Sequence, residues 1–88
     1  MPIISQFYGI VIYLYKEIGG HHHKPHIHAK YNEYEMALDF EGNVLGGAMP
    51  NKQKKLVEAW IEIHKEELNA AWYTYHNDGE IIKIKGLE

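Results

Sequence analysis

Residues 26–39 read HIHAKYNEYEMALD, and this stretch decides the fold because its polar and apolar side chains alternate. Alternation with a period of two is typical of a β-strand, and residues 32–33 can form the short turn of a hairpin. Placing Tyr31 opposite Tyr34 sorts every side chain of the two strands onto one of two faces. One face receives only apolar or aromatic side chains, namely Ile27, Ala29, Tyr31, Tyr34, Met36 and Leu38.

The opposite face of the predicted hairpin, which we call the histidine face, carries the polar side chains. The predicted cross-strand pairs on this face are Lys30 with Glu35, His28 with Ala37, and His26 with Asp39. A two-residue turn at Gly42 and Asn43 would add Val44, Gly46 and Ala48 to the same face. Because most of these added residues are small, we expect space above the sheet beside the histidines.

The remaining elements follow from changes of period along the chain. Residues 3–15 are rich in β-branched and aromatic residues and predict one long strand, and residues 44–49 predict a further strand. From residue 51 to about residue 77 the period becomes 3.6, which predicts a long helix, either continuous or kinked near Lys65, or else two shorter helices. Residues 80–85 alternate again and predict a short final edge strand.

These elements predict an α+β fold in which an antiparallel β-meander of four strands packs on the long C-terminal helix. The apolar stripe of that helix comprises Val57, Trp60, Ile61, His64, Leu68, Ala71, Trp72 and Tyr75. Since the chain has 88 residues, we expect a single domain spanning residues 1–88. The apolar face of the meander should lie against the helix stripe, leaving the histidine face on the other side.

Composition excludes several classes of function. All nine basic residues are lysines and the net charge is −3, so sequence-specific DNA binding is disfavoured. Ser5 and Thr74 are the only hydroxyl-bearing aliphatic residues and cysteine is absent, which argues against a hydrolase with a serine or cysteine nucleophile. The chain lacks an apolar run long enough to span a bilayer and a signal-peptide start, so we expect no membrane association and a cytoplasmic location.

The seven histidines are the main pointer to chemistry. His26 and His28 lie at positions i and i+2 of a strand and should point the same way, and Asp39 on the next strand completes a set of ligands suited to Zn, Mn or Fe. Two other interpretations stay open: an ordinary ion pair between His26 and Asp39, and a histidine oriented by Asp39 as a general base.

Other histidines compete for this role. His64 lies on the buried helix stripe and is the rival metal ligand, although the predicted register places it on the other side of the sheet from His26 and His28. Residues 21–23 are three consecutive histidines in a predicted loop, where they could bind metal adventitiously.

Three lysines begin the predicted helix, at positions 52, 54 and 55. Cations are disfavoured at a helix N-terminus by up to ~1 kcal/mol each, so Lys52, Lys54 and Lys55 predict a contact with an anion or an acidic partner. The alternative is that they are solvated and balance the acidic residues behind them.

Several of these residues together resemble the small prokaryotic proteins of domain-of-unknown-function family 4160. The resemblance rests on the start of the chain (MP at 1–2, IS at 4–5, FYGI at 7–10), on PHIHA at 25–29 with Tyr31, and on Trp60, His64, Glu67, Leu68 and Trp72. The chain departs from the pattern in the histidines at 21–23 and in Gly86, where prolines are usual. The resemblance implies a compact domain that is often encoded beside another small protein in a toxin–antitoxin-like arrangement.

Two hypotheses about function follow. The first is a small interaction module that works with a small partner protein or as a homo-oligomer, as one component of a toxin–antitoxin-like pair. The alternative is a metal-dependent hydrolase or nuclease that uses His26, His28 and Asp39, with a divalent transition metal as its cofactor.

Overall fold

The computed structural model describes residues 2–15 and 24–87. The described residues form five strands and two helices, in the order β1 (Ile3–Phe7), β2 (Ile10–Tyr13), β3 (His26–Tyr31), β4 (Tyr34–Asp39), β5 (Val44–Ala48), α1 (Asn51–Ile63) and α2 (Lys65–Asp78). The strands make one antiparallel sheet in sequence order. The α+β class and the meander are therefore confirmed. None of the described helices has the length and apolar character needed to cross a lipid bilayer.

The predicted single strand over residues 3–15 is wrong, because the chain reverses at Tyr8 and Gly9. Both residues have positive φ, 48° and 79°, which is the conformation of a two-residue type I′ hairpin turn. Glycine adopts positive φ at little cost, so Gly9 permits a turn within the segment that was predicted as one strand. The meander consequently has five strands rather than four.

The central hairpin has the predicted register. Tyr31 lies opposite Tyr34, His28 opposite Ala37 and His26 opposite Asp39. The turn between β3 and β4 is at the predicted position, and Asn32 adopts a positive φ of 52° there.

The loop after β4 is longer than the predicted two-residue turn at Gly42 and Asn43. The amide of Asp39 donates to the carbonyl of Asn43 at 2.9 Å and closes this loop. Four residues, 40–43, separate β4 from β5. A bulge at Leu45 then places Val44 opposite Leu38, on the apolar side rather than on the predicted histidine face. Gly46 and Ala48 pair with histidine-face residues of β4, as predicted.

The helical region is divided at His64, which is the predicted alternative of two shorter helices. The backbone of His64 leaves helical geometry with φ −108° and ψ 21°, and its Nδ1 donates to the Glu67 carboxylate. Glu66 and Glu67 lie in the first turn of α2, where negative charge stabilises a new helix N-terminus. Gly79 ends α2 in the left-handed conformation.

One hydrophobic core joins the helices to the apolar face of the sheet. Its most buried members are Ile4, Ile10, Ile12, Leu14, Ile27, Met36, Leu38, Val57, Trp60, Ile61 and Leu68. The ring of Trp60 stacks on Phe7 with centroids 5.5 Å apart, which links α1 to β1.

The predicted final edge strand at residues 80–85 is not a strand. The segment lies along β1, where the Ile84 amide donates to the carbonyl of Ile4 at 2.7 Å. The next carbonyl, that of Lys85, accepts a hydrogen bond from the Trp60 indole at 2.9 Å. The described chain thus ends as an extended segment fixed by a tryptophan.

We expect Trp60→Phe to loosen this C-terminal segment while leaving most of the core packing in place. The substitution removes the donor to the Lys85 carbonyl, which should lower the free energy of unfolding by about 1–2 kcal/mol. Amide hydrogen exchange at Ile84 should become faster. Trp72→Phe is the matched control and should leave the exchange of Ile84 unchanged; equal acceleration by both variants would contradict the assigned role of Trp60.

Candidate binding site on the histidine face

Asp39, one of the predicted metal ligands, is committed to the loop that follows it. Its Oδ1 accepts hydrogen bonds from the backbone amides of Glu41 and Asn43 at 3.0 and 2.9 Å. Its Oδ2 accepts from the Asn43 side chain at 3.2 Å and forms an ion pair with Lys24 Nζ at 2.9 Å. An aspartate at the end of a strand is well placed to accept from turn amides two and four residues ahead, so the carboxylate turns toward the loop.

The hydrogen bonds to Asp39 determine its ionisation. Burial alone would raise the pKa of this carboxyl, but the contacts from Lys24, Asn43 and Glu41 outweigh it and lower the pKa from 3.8 to about 2. The side chain is therefore a fully ionised structural anchor at neutral pH.

His26 is buried at the first position of β3, against the second helix. Its Nδ1 donates to the carbonyl of Lys24 at 2.9 Å, and its ring centroid lies 5.4 Å from that of Trp72. The expectation that the helix leaves the His26 side of the sheet uncovered is therefore wrong at this position. The broad indole of Trp72 covers the end of the strand.

His28 lies further along the histidine face, with its ring centroid 5.2 Å from that of His26. Its ring stacks on Tyr15 with centroids 3.9 Å apart, and its Nδ1 lies 3.7 Å from Glu35 Oε2. Burial and the negative charge of Glu35 raise the pKa of Tyr15, so the phenol stays protonated and serves as a stacking surface.

These placements do not produce the predicted three-ligand centre. Across residues 2–15 and 24–87, no three His, Cys, Asp or Glu side chains are grouped so that they could hold a metal ion. The pairing of His26 with Asp39 is present, but the carboxylate points to the loop and the imidazole to Trp72. The three histidines at positions 21–23 lie outside the described residues.

The other candidate residues occupy separate places. His64 joins α1 to α2, with its ring 5.6 Å from Trp60 and its Nδ1 bonded to Glu67. Lys52 and Lys54 lie in the first turn of α1 and Lys55 follows directly, and this first turn has no acidic residue and no side-chain cap. Their contact with an anion or an acidic partner stays a prediction.

A shallow cavity occupies the histidine face where the sequence predicted space. It has a volume of about 270 Å³ and is lined by His28, Glu35, Met36, Ala37, Gly46 and Gly47. The small residues of β4 and β5 form its floor, and His28 and Glu35 provide its polar groups.

Beside this cavity lies the last strand of the sheet, β5, which is exposed at every position. Its sequence, VLGGA, carries no charge and no proline, which are the usual protections of an edge strand. Val44 and Leu45 are each about two-fifths exposed. The site therefore combines a sheet edge that can accept hydrogen bonds with a polar cavity next to it.

The site residues predicted from the sequence did not include Glu35, Tyr15 or Trp72. The predicted register already placed Glu35 diagonally across from His28, within reach of a long side chain, so this neighbour could have been found from the pairing. The role of Trp72 could not have been found from strand pairing, because its contact with His26 depends on where α2 crosses the end of the sheet.

Comparison with known sequences places the chain in a family. The sequence model described as Domain of unknown function (DUF4160) matches residues 9–73, and the chain belongs to this family. The match includes β2 to β5, α1 and most of α2, and with them His28, Glu35 and the exposed strand. No curated protein and no solved structure matched the chain.

Proposed function

We propose that the protein is a small interaction module that binds a partner protein through the β5 edge and the adjoining histidine face. The exposed, uncharged β5 strand is the observation that carries this proposal. Edge strands of this kind bind extended segments of other chains by adding a strand to the sheet, with backbone hydrogen bonds supplying affinity and side-chain pockets supplying selectivity.

The two edges of the sheet support the choice of β5. The C-terminal segment lies along β1, and Ile84 there donates to Ile4. Strand β5, at the other edge, has exposed apolar side chains instead. A partner segment can therefore extend the sheet at β5.

The family resemblance suggests which protein to test first. The resemblance implies that such a domain is often encoded beside another small protein, and we propose that the neighbouring gene product is the partner in a toxin–antitoxin-like pair. The alternative of a metal-dependent hydrolase or nuclease has less support, because the carboxylate of Asp39 is bound by loop amides and by Lys24.

The test is binding of the neighbouring gene product to two matched double variants. Val44→Lys/Leu45→Lys places charge on the β5 edge, whereas Ile63→Lys/Tyr73→Lys places the same charge on exposed apolar positions of the helices, which are 64% and 67% exposed. We expect the β5 variant to weaken binding at least about tenfold and the helix variant to change it less than about twofold, measured by calorimetry. The reverse pattern, or no binding by the wild-type chain, would contradict the proposal.

A further inference from the structure

The cavity on the histidine face is shaped by the absence of side-chain bulk on β5. Gly46 lies opposite Ala37, and Ala48 lies opposite Glu35. A Cβ atom built on Gly46 would have no heavy atom within 4 Å, so the space above this strand is open. A long side chain from a neighbouring strand could lie across it.

The side of the cavity next to this open space carries the carboxylate of Glu35. Glu35 lines the cavity, and its side chain is 46% exposed. At 3.7 Å the contact with His28 Nδ1 is too long for a hydrogen bond, so it leaves acceptor capacity on the carboxylate. Lys30 lies opposite Glu35 in the strand register, on β3, which is on the side away from β5.

Strand spacing fixes the length of side chain that could reach this carboxylate. Neighbouring strands lie about 4.8 Å apart, so a strand added to β5 would lie roughly 10 Å from β4. The stems of lysine and arginine can lie along apolar surface and carry their charge to such a distance. Glycine and alanine at positions 46 and 48 leave the path clear.

We infer that the partner segment received by β5 carries a lysine or arginine that lies across Gly46 and pairs with Glu35. This inference rests on the function proposed above and adds the chemistry of the partner. The net charge of −3 also favours a basic partner segment, because a negatively charged protein attracts positive charge.

The test uses three blocked seven-residue peptides of alternating threonine and valine that differ at the central position, which is lysine, norleucine or glutamate. Each is titrated into the wild-type chain, Glu35→Gln and the control Glu33→Gln, and binding is followed by the backbone amide shifts of residues 44–48. Glu33 is exposed in the β3–β4 turn and is not among the cavity-lining residues. Sedimentation of the free protein is measured first.

We expect the lysine peptide to bind about threefold to fivefold more tightly than the norleucine peptide, and the glutamate peptide to bind most weakly. Glu35→Gln should abolish the preference for lysine, and Glu33→Gln should keep it. Equal binding of all three peptides would overturn the inference and leave β5 as the docking edge.

Two further results would also overturn it. If no peptide shifts the amides of residues 44–48, the inference fails, and binding of the neighbouring gene product to the two double variants decides the proposed function separately. A dimer of the free protein that Val44→Lys/Leu45→Lys dissociates would place a second copy of this chain on β5 instead of a basic partner segment.

Discussion

Replacing Asp39 with alanine is expected to lower the free energy of unfolding by about 3 kcal/mol. The carboxylate accepts from the amides of Glu41 and Asn43 and pairs with Lys24, and it is buried. Removing it leaves amide donors of the β4–β5 loop without their acceptor, which costs more than the loss of an exposed ion pair. Urea unfolding measures the change, with Asp78→Ala, at the exposed end of α2, as a control expected to cost less than about 0.5 kcal/mol.

The same residue sets part of the acid sensitivity of the fold. Its pKa is lowered from 3.8 to about 2 in the folded chain, so the folded state binds this proton less readily than the unfolded state does. The resulting stability, about 2 kcal/mol, is present above pH 4 and is lost as the pH falls toward 2. Asp39→Ala should therefore be less acid-sensitive between pH 4 and pH 2 than the wild type. A variant with wild-type stability and an unchanged acid profile would contradict the anchoring role.

Adding a chelator to the buffer distinguishes this structural role of Asp39 from a role as a metal ligand. The hydrogen bonds of Asp39 are made to the chain itself, so Asp39→Ala should be destabilised equally with and without a chelator in the buffer. A metal-ligand role predicts that the chelator destabilises the wild type and removes most of the difference between the two proteins.

Replacing Gly47 with alanine is expected to have the second large effect, a loss of about 3 kcal/mol or more. Gly47 has a φ of +77°, and a Cβ atom there would lie 2.2 Å from the carbonyl oxygen of Glu35 and 3.0 Å from Met36 Cα. Both obstacles are backbone atoms of β4, so the clash is relieved only by moving β5 away from the sheet.

Two other glycines provide matched controls for this variant. Gly42 has a φ of +86° but open space around it, so Gly42→Ala should cost only about 1 kcal/mol for its backbone conformation. Gly46→Ala meets neither obstacle and should be nearly neutral. Thermal unfolding of the three variants checks the order, and a cost for Gly47→Ala no larger than that for Gly42→Ala would contradict the close approach of β5 to β4.

The sheet was predictable wherever alternation and burial agreed. In β3 and β4 a slip of one residue would have turned Ile27 and Leu38 to solvent, so the register followed from the sequence. The prediction failed where a local backbone choice decides the outcome: the positive φ of Tyr8 and Gly9 and the bulge at Leu45. Such local backbone changes alter the spacing of apolar residues very little, so the sequence pattern does not reveal them.

The candidate site was only partly predictable for a related reason. Strand register places two Cβ atoms near each other, but it does not say what their side chains bind. Asp39 finds its partners in the loop that follows, and His26 meets Trp72 of α2. His28 and the small residues of β5 needed no such long-range information, because strand pairing alone brings them to one face.

We propose that β5 is the surface on which a partner protein binds. Amide hydrogen exchange of the chain, measured alone and with the protein encoded by the neighbouring gene, tests it most directly. We predict that residues 44–48 gain the strongest protection in the complex, because the β5 amides that point away from β4 acquire new strand partners. Protection confined to α1 and α2, with exchange at residues 44–48 unchanged, would contradict it.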